Sequence, residues 1–211
     1  MNLTLILVIL TGLISYQAFE NQTMKAKLLF RPASIREFGE YFRFLTHGFV
    51  HADWGHLGIN MFVLYQFGQI MENFFVNYFG EGIGRMSFII LYLGGVVAAS
   101  IPGYFKHKNN PYYSAVGASG GTSAVVFGFV ILAPWQWFLF PPLPGILFAV
   151  AYLWYSSYMG KRGGDNIAHD AHFWGAVYGF VVTLLLIFAF NADLLSGIIA
   201  NFLSGPTMPN F

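Results

Sequence analysis

The amino-acid sequence specifies a bundle of α-helices that takes a lipid bilayer, rather than water, as its solvent. Three observations carry this. Only 9% of the 211 residues are charged, against about 25% in soluble domains, while 56% are hydrophobic and the mean hydropathy is +0.59. The apolar residues fall into stretches of about 20, the length a helix needs to cross the hydrocarbon core. Three polar groups, around His56 and Asn60, Ser119, and His169 and His172, lie near the ends of those stretches instead of at mid-depth.

Six stretches are expected to span: 2–19, 55–75, 86–102, 117–133, 137–158 and 168–190. The first has no basic leader and no small-residue cleavage site, so it reads as a retained span rather than a signal peptide. Residues 20–54 mix Lys and Arg with Phe, Leu, Tyr and Trp, a composition suited to short helices lying in the interface with their basic stems snorkelling. The remaining connections are short. Residues 191–211 end in a polar Gly/Pro-containing run and read as a flexible tail. No internal repeat is visible, so residues 1–211 form one domain, an all-α six-helix membrane bundle with an interfacial first loop.

Composition also excludes functions. A net charge of +1 offers no attraction for nucleic acid, and the absence of cysteine excludes disulfides and thiolate metal centres. The partner that composition implies is the bilayer itself.

Polar groups inside a span are costly, so each is a functional hypothesis. Three groups stand out. The second stretch opens with "HGFVHADWGHLGIN", the fourth with "GASGG", and the sixth with "NIAHDAHFWGAVYG". His56 and Asn60 share a helix face at i,i+4. His172, Gly175 and Gly179 share another, and the two glycines let a neighbouring backbone approach. The Gly117–Gly121 run does the same for the helix carrying Ser119. In a six-span bundle all three groups lie at one side of the membrane, so a serine and a histidine converge there. Such a pair supplies a nucleophile and its general base. His56, the Asn60 amide and the backbone N–H groups of Gly117 and Ser119 supply donors for an oxyanion.

Other readings of the same residues exist. A run of small residues is in general a close-packing surface. His47 and His51 at i,i+4 have metal-ligand spacing but lack an intervening Glu and a third ligand, which favours a structural role. Asp170 sits two residues from His172, on a different helix face, and is not a triad member. Asp165 and Asn166 read as turn and cap residues. No metal or organic cofactor is implied.

In this order, His56-x-x-x-Asn60, Gly117-Ala118-Ser119-Gly120 and Ala171-His172-x-x-Gly175-x-x-x-Gly179 resemble the rhomboid family of intramembrane serine proteases, over essentially the whole chain. The resemblance implies that Ser119 attacks a peptide bond in or beside a substrate's transmembrane helix, with His172 as its base. It implies that His56 and Asn60 help to bind the oxyanion, and that Gly120, Gly175 and Gly179 bring the helices together. Gly68 and Glu72 resemble the family's Gly-x-x-x-Glu, and Arg43 the Arg of its first-loop Trp-Arg pair. Two departures are present. Phe42 stands where that Trp is common, and Ser123 stands one turn after Ser119, where an aromatic residue often packs on the histidine. His169, one turn before His172, is a candidate for orienting it instead.

Water must reach Ser119, so the loops around 103–116 and 159–168 are expected to cap a wet cavity. The rival readings are a catalytically silent relative that binds membrane proteins, and a small transporter. The transporter lacks visible paired halves and a midplane polar cluster. The expected location is an inner or plasma membrane. Orientation is contested within the sequence. Lys25, Lys27, Arg31, Arg36, Arg43, Lys106, Lys108, Lys161 and Arg162 fall on the active-site side and only Arg85 on the other. Positive charge would place that side in the cytoplasm. The family resemblance implies the reverse, an outward-opening site with both termini inside, and is preferred.

Overall fold

The computed structural model of the protein describes residues 2–138, 141–162 and 168–206. Among these, every regular element is helical, and the only β-pairing is two isolated bridges. The helices are α1 (Leu3–Glu20), α2 (Gln22–Leu28), α3 (Pro32–Phe38), α4 (Arg43–Thr46), α5 (Trp54–Phe79), α6 (Glu81–His107), α7 (Ser119–Leu132), α8 (Gly145–Arg162), α9 (His169–Phe190) and α10 (Leu194–Leu203).

Each of the six apolar stretches contains a helix, but only α1, α6 and α9 are both long and apolar enough to cross a bilayer by length and composition. The reason differs for the others. α5 carries His56, Asn60, Gln66, Gln69, Glu72, Asn73 and Asn77 along its length. α7 has 14 residues, about 21 Å, which is shorter than the hydrocarbon core. Its solvent is protein: residues 120–131 are all buried, enclosed by α5, α6, α8 and α9. A short helix carrying glycines and hydroxyls is stable at such a place because neighbouring chains, not lipid, surround it.

Two boundaries depart from expectation. The fifth stretch is expected over 137–158, whereas α8 begins at Gly145. Pro141, Pro142 and Pro144 forbid a continuous helix, and the chain instead turns back, with Trp137 bridged to Pro144 and the Gly145 N–H donating to the Gln136 carbonyl at 2.9 Å. The second correction concerns 191–206 of the expected flexible tail 191–211, residues 207–211 lying outside the described residues. Residues 194–203 form α10, docked where Trp135 Nε1 donates to the Phe202 carbonyl at 2.9 Å and Asn201 Nδ2 to the Leu132 carbonyl at 3.0 Å.

The core runs between α1, α5, α6, α7 and α9, where Leu64, Met71, Phe75, Phe88, Leu91, Tyr92, Val125 and Ile187 are fully buried. Glu72 ties α1 to α5. Its carboxylate accepts from the backbone N–H groups of Leu3 and Thr4 and from the Thr4 hydroxyl, each at 2.8 Å. Gly68, one turn earlier, leaves room for Thr4, since a Cβ there would sit 2.8 Å from its methyl group.

Residues 21–53 form α2, α3, α4 and a short 3-10 turn, His47–Phe49, gathered around one guanidinium. Arg43 is buried and donates to the carbonyls of Ala26, Lys27 and Leu29 at 2.7–3.1 Å, and to Glu40 at 2.6 Å. This segment meets the chain between α6 and α7. Phe30 and Ala115 exchange backbone hydrogen bonds at 3.0 Å, and Arg36 donates to Asn109 at 2.6 Å. Lys106 pairs with Asp170 at 2.6 Å. The first loop, the α6–α7 loop and the start of α9 thus share one end of the bundle.

Candidate active site

Ser119 is the first residue of α7, half-buried, after a turn that only glycine can make. Gly117 has φ +116°, and a Cβ on it would lie 2.6–2.8 Å from the His56 ring. Two histidines hold this turn. The Gly117 N–H donates to the His47 carbonyl at 3.0 Å. The Ala118 N–H donates to His51 Nε2 at 3.3 Å, so the proton of that ring sits on Nδ1, within 2.9 Å of Ser15 Oγ. The Ser15 hydroxyl in turn donates to the Phe49 carbonyl at 2.9 Å. The relay couples α1, the first loop and the serine turn. His51 and His47 are therefore engaged with the protein, His47 through Nδ1–H on the Arg43 carbonyl at 2.9 Å. Burial lowers the pKa of His51 to about 3 and that of His47 to about 4, which keeps both rings neutral.

His56 and Asn60 occupy the first turns of α5. Asp53 caps this helix, accepting from the His56 N–H at 2.8 Å. The His56 ring stands edge-on to His51, with centroids 5.0 Å apart, and against Gly117. Asn60 is buried. Its Nδ2 donates to the His56 carbonyl at 2.9 Å, and its Oδ1 accepts from the Thr122 hydroxyl at 3.1 Å. Thr122 thus fixes α5 to the first turn of α7.

The glycines behave as the sequence suggests. A Cβ on Gly175 would lie 2.3 Å from the Gly120 carbonyl oxygen, and one on Gly179 would lie 2.1 Å from that of Ala124. A Cβ on Gly120 would meet Ala99 Cβ at 2.6 Å and the Ala171 carbonyl at 3.8 Å. α7 and α9 are therefore packed backbone to backbone, and Ser119 and His172, the neighbours of Gly120 and Ala171, stand at adjacent helix ends.

Ser119 lines a cavity of about 120 Å³, room for several waters. Its wall includes Tyr113, Ala115–Gly117, Gly160 and Ala168–Ala171, drawn from both loops expected to cap the site. Part of the second loop, with Asp165 and Asn166, lies outside the described residues. His172 follows this wall in sequence, and its ring lies beside Tyr152 of α8, nearly parallel at 19° with centroids 6.1 Å apart. The His169 ring meets it edge-on at 5.8 Å. Asp170 points elsewhere, to Lys106. Sequence reasoning missed Tyr152, Ser15 and Thr122. Each acts across helices, and none has a local motif.

The fold and this centre define an α-helical membrane protein with a polar serine–histidine–asparagine constellation at one end of its bundle. Residues 38–189 match the family model described as the Rhomboid domain, and the chain belongs to the rhomboid family. It is 28% identical over 161 residues to "Rhomboid-like protein 11, chloroplastic" of Arabidopsis thaliana, covering 71% of this chain and 54% of that protein. It is 25% identical over 173 residues to "RHOMBOID-like protein 12, mitochondrial" of Arabidopsis thaliana, covering 77% and 51%. The chain thus spans about half the length of the curated relatives it matches. Those names place the relatives in organelles, so they lend no support to the expected plasma-membrane location.

Proposed function

We propose that the protein is an intramembrane serine endopeptidase that cleaves within or next to transmembrane helices of other membrane proteins. Ser119 is the nucleophile and His172 its general base. His56, the second N–H of Asn60 and the backbone N–H of Ser119 face the developing oxyanion; the Gly117 N–H, expected as a further donor, is taken by the His47 carbonyl. The observation that carries this reading is the glycine seam between α7 and α9. Across it Ser119, next to Gly120, and His172, next to Ala171, stand at adjoining helix ends, and Ser119 lines a cavity large enough for the hydrolytic water.

In the proposed cycle, the Ser119 hydroxyl passes its proton to His172 as its oxygen bonds to the substrate carbonyl carbon. The oxyanion is held by donors already fixed in place, which is where most of such a rate enhancement arises. His172 then protonates the leaving amine, and an acyl-enzyme on Ser119 remains. A water from the cavity, deprotonated by His172, hydrolyses that ester. The substrate helix must unwind locally, because a helix engages its own carbonyls. Six crossings of the bilayer, with residues 20–54 at its surface, complete the proposed arrangement.

The experiment is labelling of purified protein with a fluorophosphonate probe, paired with cleavage of a model transmembrane substrate in liposomes. Ser119 is the expected labelled residue. Ser119→Ala and His172→Ala should each abolish both signals, and the double variant should be no worse, because the pair acts as a unit. Wild-type protein that neither labels nor cleaves would make this chain a silent, binding-type relative.

A further inference from the structure

We propose that Tyr152 of α8, anchored by Ser123 of α7, is the positioning residue that sets the orientation of the His172 ring; this rests on the protease reading above. A histidine ring turns in a broad torsional well about its last bond, so its direction is set by what packs on it. Here the ring of His172 lies nearly parallel to that of Tyr152, with centroids 6.1 Å apart, and steeply inclined to that of His169 at 5.8 Å.

Tyr152 is itself held at both ends. Its hydroxyl lies 2.7 Å from Ser123 Oγ, and its ring is packed between Phe127 at 5.6 Å and Phe148 at 5.7 Å. Ser123 is buried and follows Ser119 by one helical turn, so the two hydroxyls share a face of α7. The helix that carries the nucleophile therefore also fixes, through Ser123 and Tyr152, the ring that accepts its proton. A large residue at 123 would occupy the space that the Tyr152 hydroxyl now reaches. The serine at this position and the tyrosine on α8 belong to one device. Tyr155, one turn nearer the end of α8, repeats the arrangement by standing edge-on to His169 at 5.6 Å.

The test compares wild type, Ser123→Ala, Tyr152→Phe, their double variant and Tyr152→Leu. The readouts are the rate of fluorophosphonate labelling, kcat and KM for a transmembrane substrate, and thermal midpoint. Tyr152→Leu should slow labelling and kcat by roughly 10- to 100-fold, since a displaced base forfeits much of its contribution. Tyr152→Phe keeps the ring and should restore most of that rate, losing about 2- to 10-fold for the missing hydrogen bond. Ser123→Ala should match Tyr152→Phe, and the double variant should match either alone, because all three break the same bond. KM should stay near wild type. Tyr152→Leu labelling at the wild-type rate would overturn the proposal while leaving Ser119 and His172 in their roles. So would losses that follow only KM or the thermal midpoint. Wild type that does not label would remove the protease reading, and this inference with it.

Discussion

Gly179→Ala probes the seam on which the site depends, since it adds one methyl group where two backbones touch. The new Cβ would lie 2.1 Å from the Ala124 carbonyl oxygen, 2.4 Å from its Cα and 2.6 Å from its carbonyl carbon. Ordinary contact begins at 3.4 Å, so α9 and α7 must separate locally by about 1.3 Å. No side-chain rotation can absorb this, because every atom struck is main chain. Overpacking of this kind costs about 1–3 kcal/mol, and rigid partners put the case at the upper end. His172 lies on the same face of α9, two turns away, so the shift is transmitted to it. A misplacement of about 1 Å at reacting groups costs about 100-fold in rate. The assay is kcat for a model transmembrane substrate, with thermal midpoint measured in the same detergent. Gly12→Ala is the control. Nothing lies within 4 Å of its Cβ, so it should retain activity and gain up to about 1 kcal/mol in helix propensity. If Gly179→Ala keeps activity within about threefold and an unchanged midpoint, the seam does not position the dyad.

Acid should destabilise the fold through His47 and His51, which lie outside the membrane-spanning helices. Their folded pKa values, about 4 and about 3, fall below the unfolded value of 6.5 because burial disfavours the charged ring. Stability is complete above pH 6.5 and is lost as pH falls toward 4 and 3. At pH 5 each contributes a loss of about 2 kcal/mol; equal unfolding midpoints at pH 7.5 and pH 5 would contradict this. Glu72→Gln should cost about 3 kcal/mol, because its amide would face N–H donors at the start of α1. Glu81→Gln at the surface should cost under about 1 kcal/mol, and hydrogen exchange in α1 should separate the two; similar exchange in both variants would refute the role of Glu72. A C-terminal reporter should be active only on the cytoplasmic side if the site opens outward, and activity only on the far side would reverse the proposed orientation.

What could be read in the sequence was local or periodic. Ser119 among glycines, His172 with Gly175 and Gly179, and His56 with Asn60 each announce themselves by spacing on one helix. The prolines at 141, 142 and 144 were equally visible, and the break they impose follows from their missing N–H groups rather than from hydropathy, which ran across them. α10 is hidden for a related reason: the apolar residues 194–203 are too few to span a bilayer and run directly into the Gly/Pro-containing end. Tyr152 was not legible at all. Its contacts with His172 and Ser123 join three helices, and no periodicity in one helix encodes the rotation of another.

The basic residues show the same distinction between composition and use. A count of nine Lys and Arg on one side against one on the other treats each as a free charge at the membrane surface. The structure assigns four of the nine to internal work. Arg43 is buried on three carbonyls, Lys25 donates to the Ala52 carbonyl, Arg36 holds Asn109 and Lys106 holds Asp170. These bonds fasten the first loop to itself, and the α6–α7 segment to the first loop and to α9. Arg43 and Lys25 satisfy irregular backbone at that end, Arg36 and Lys106 bond polar side chains there, and a residue placed for such a bond says little about which side of the membrane it faces. Discounting them leaves five charges against Arg85, which is itself paired with Glu81. The charge bias keeps its sign but loses much of its weight, and the family's orientation remains the better-supported proposal.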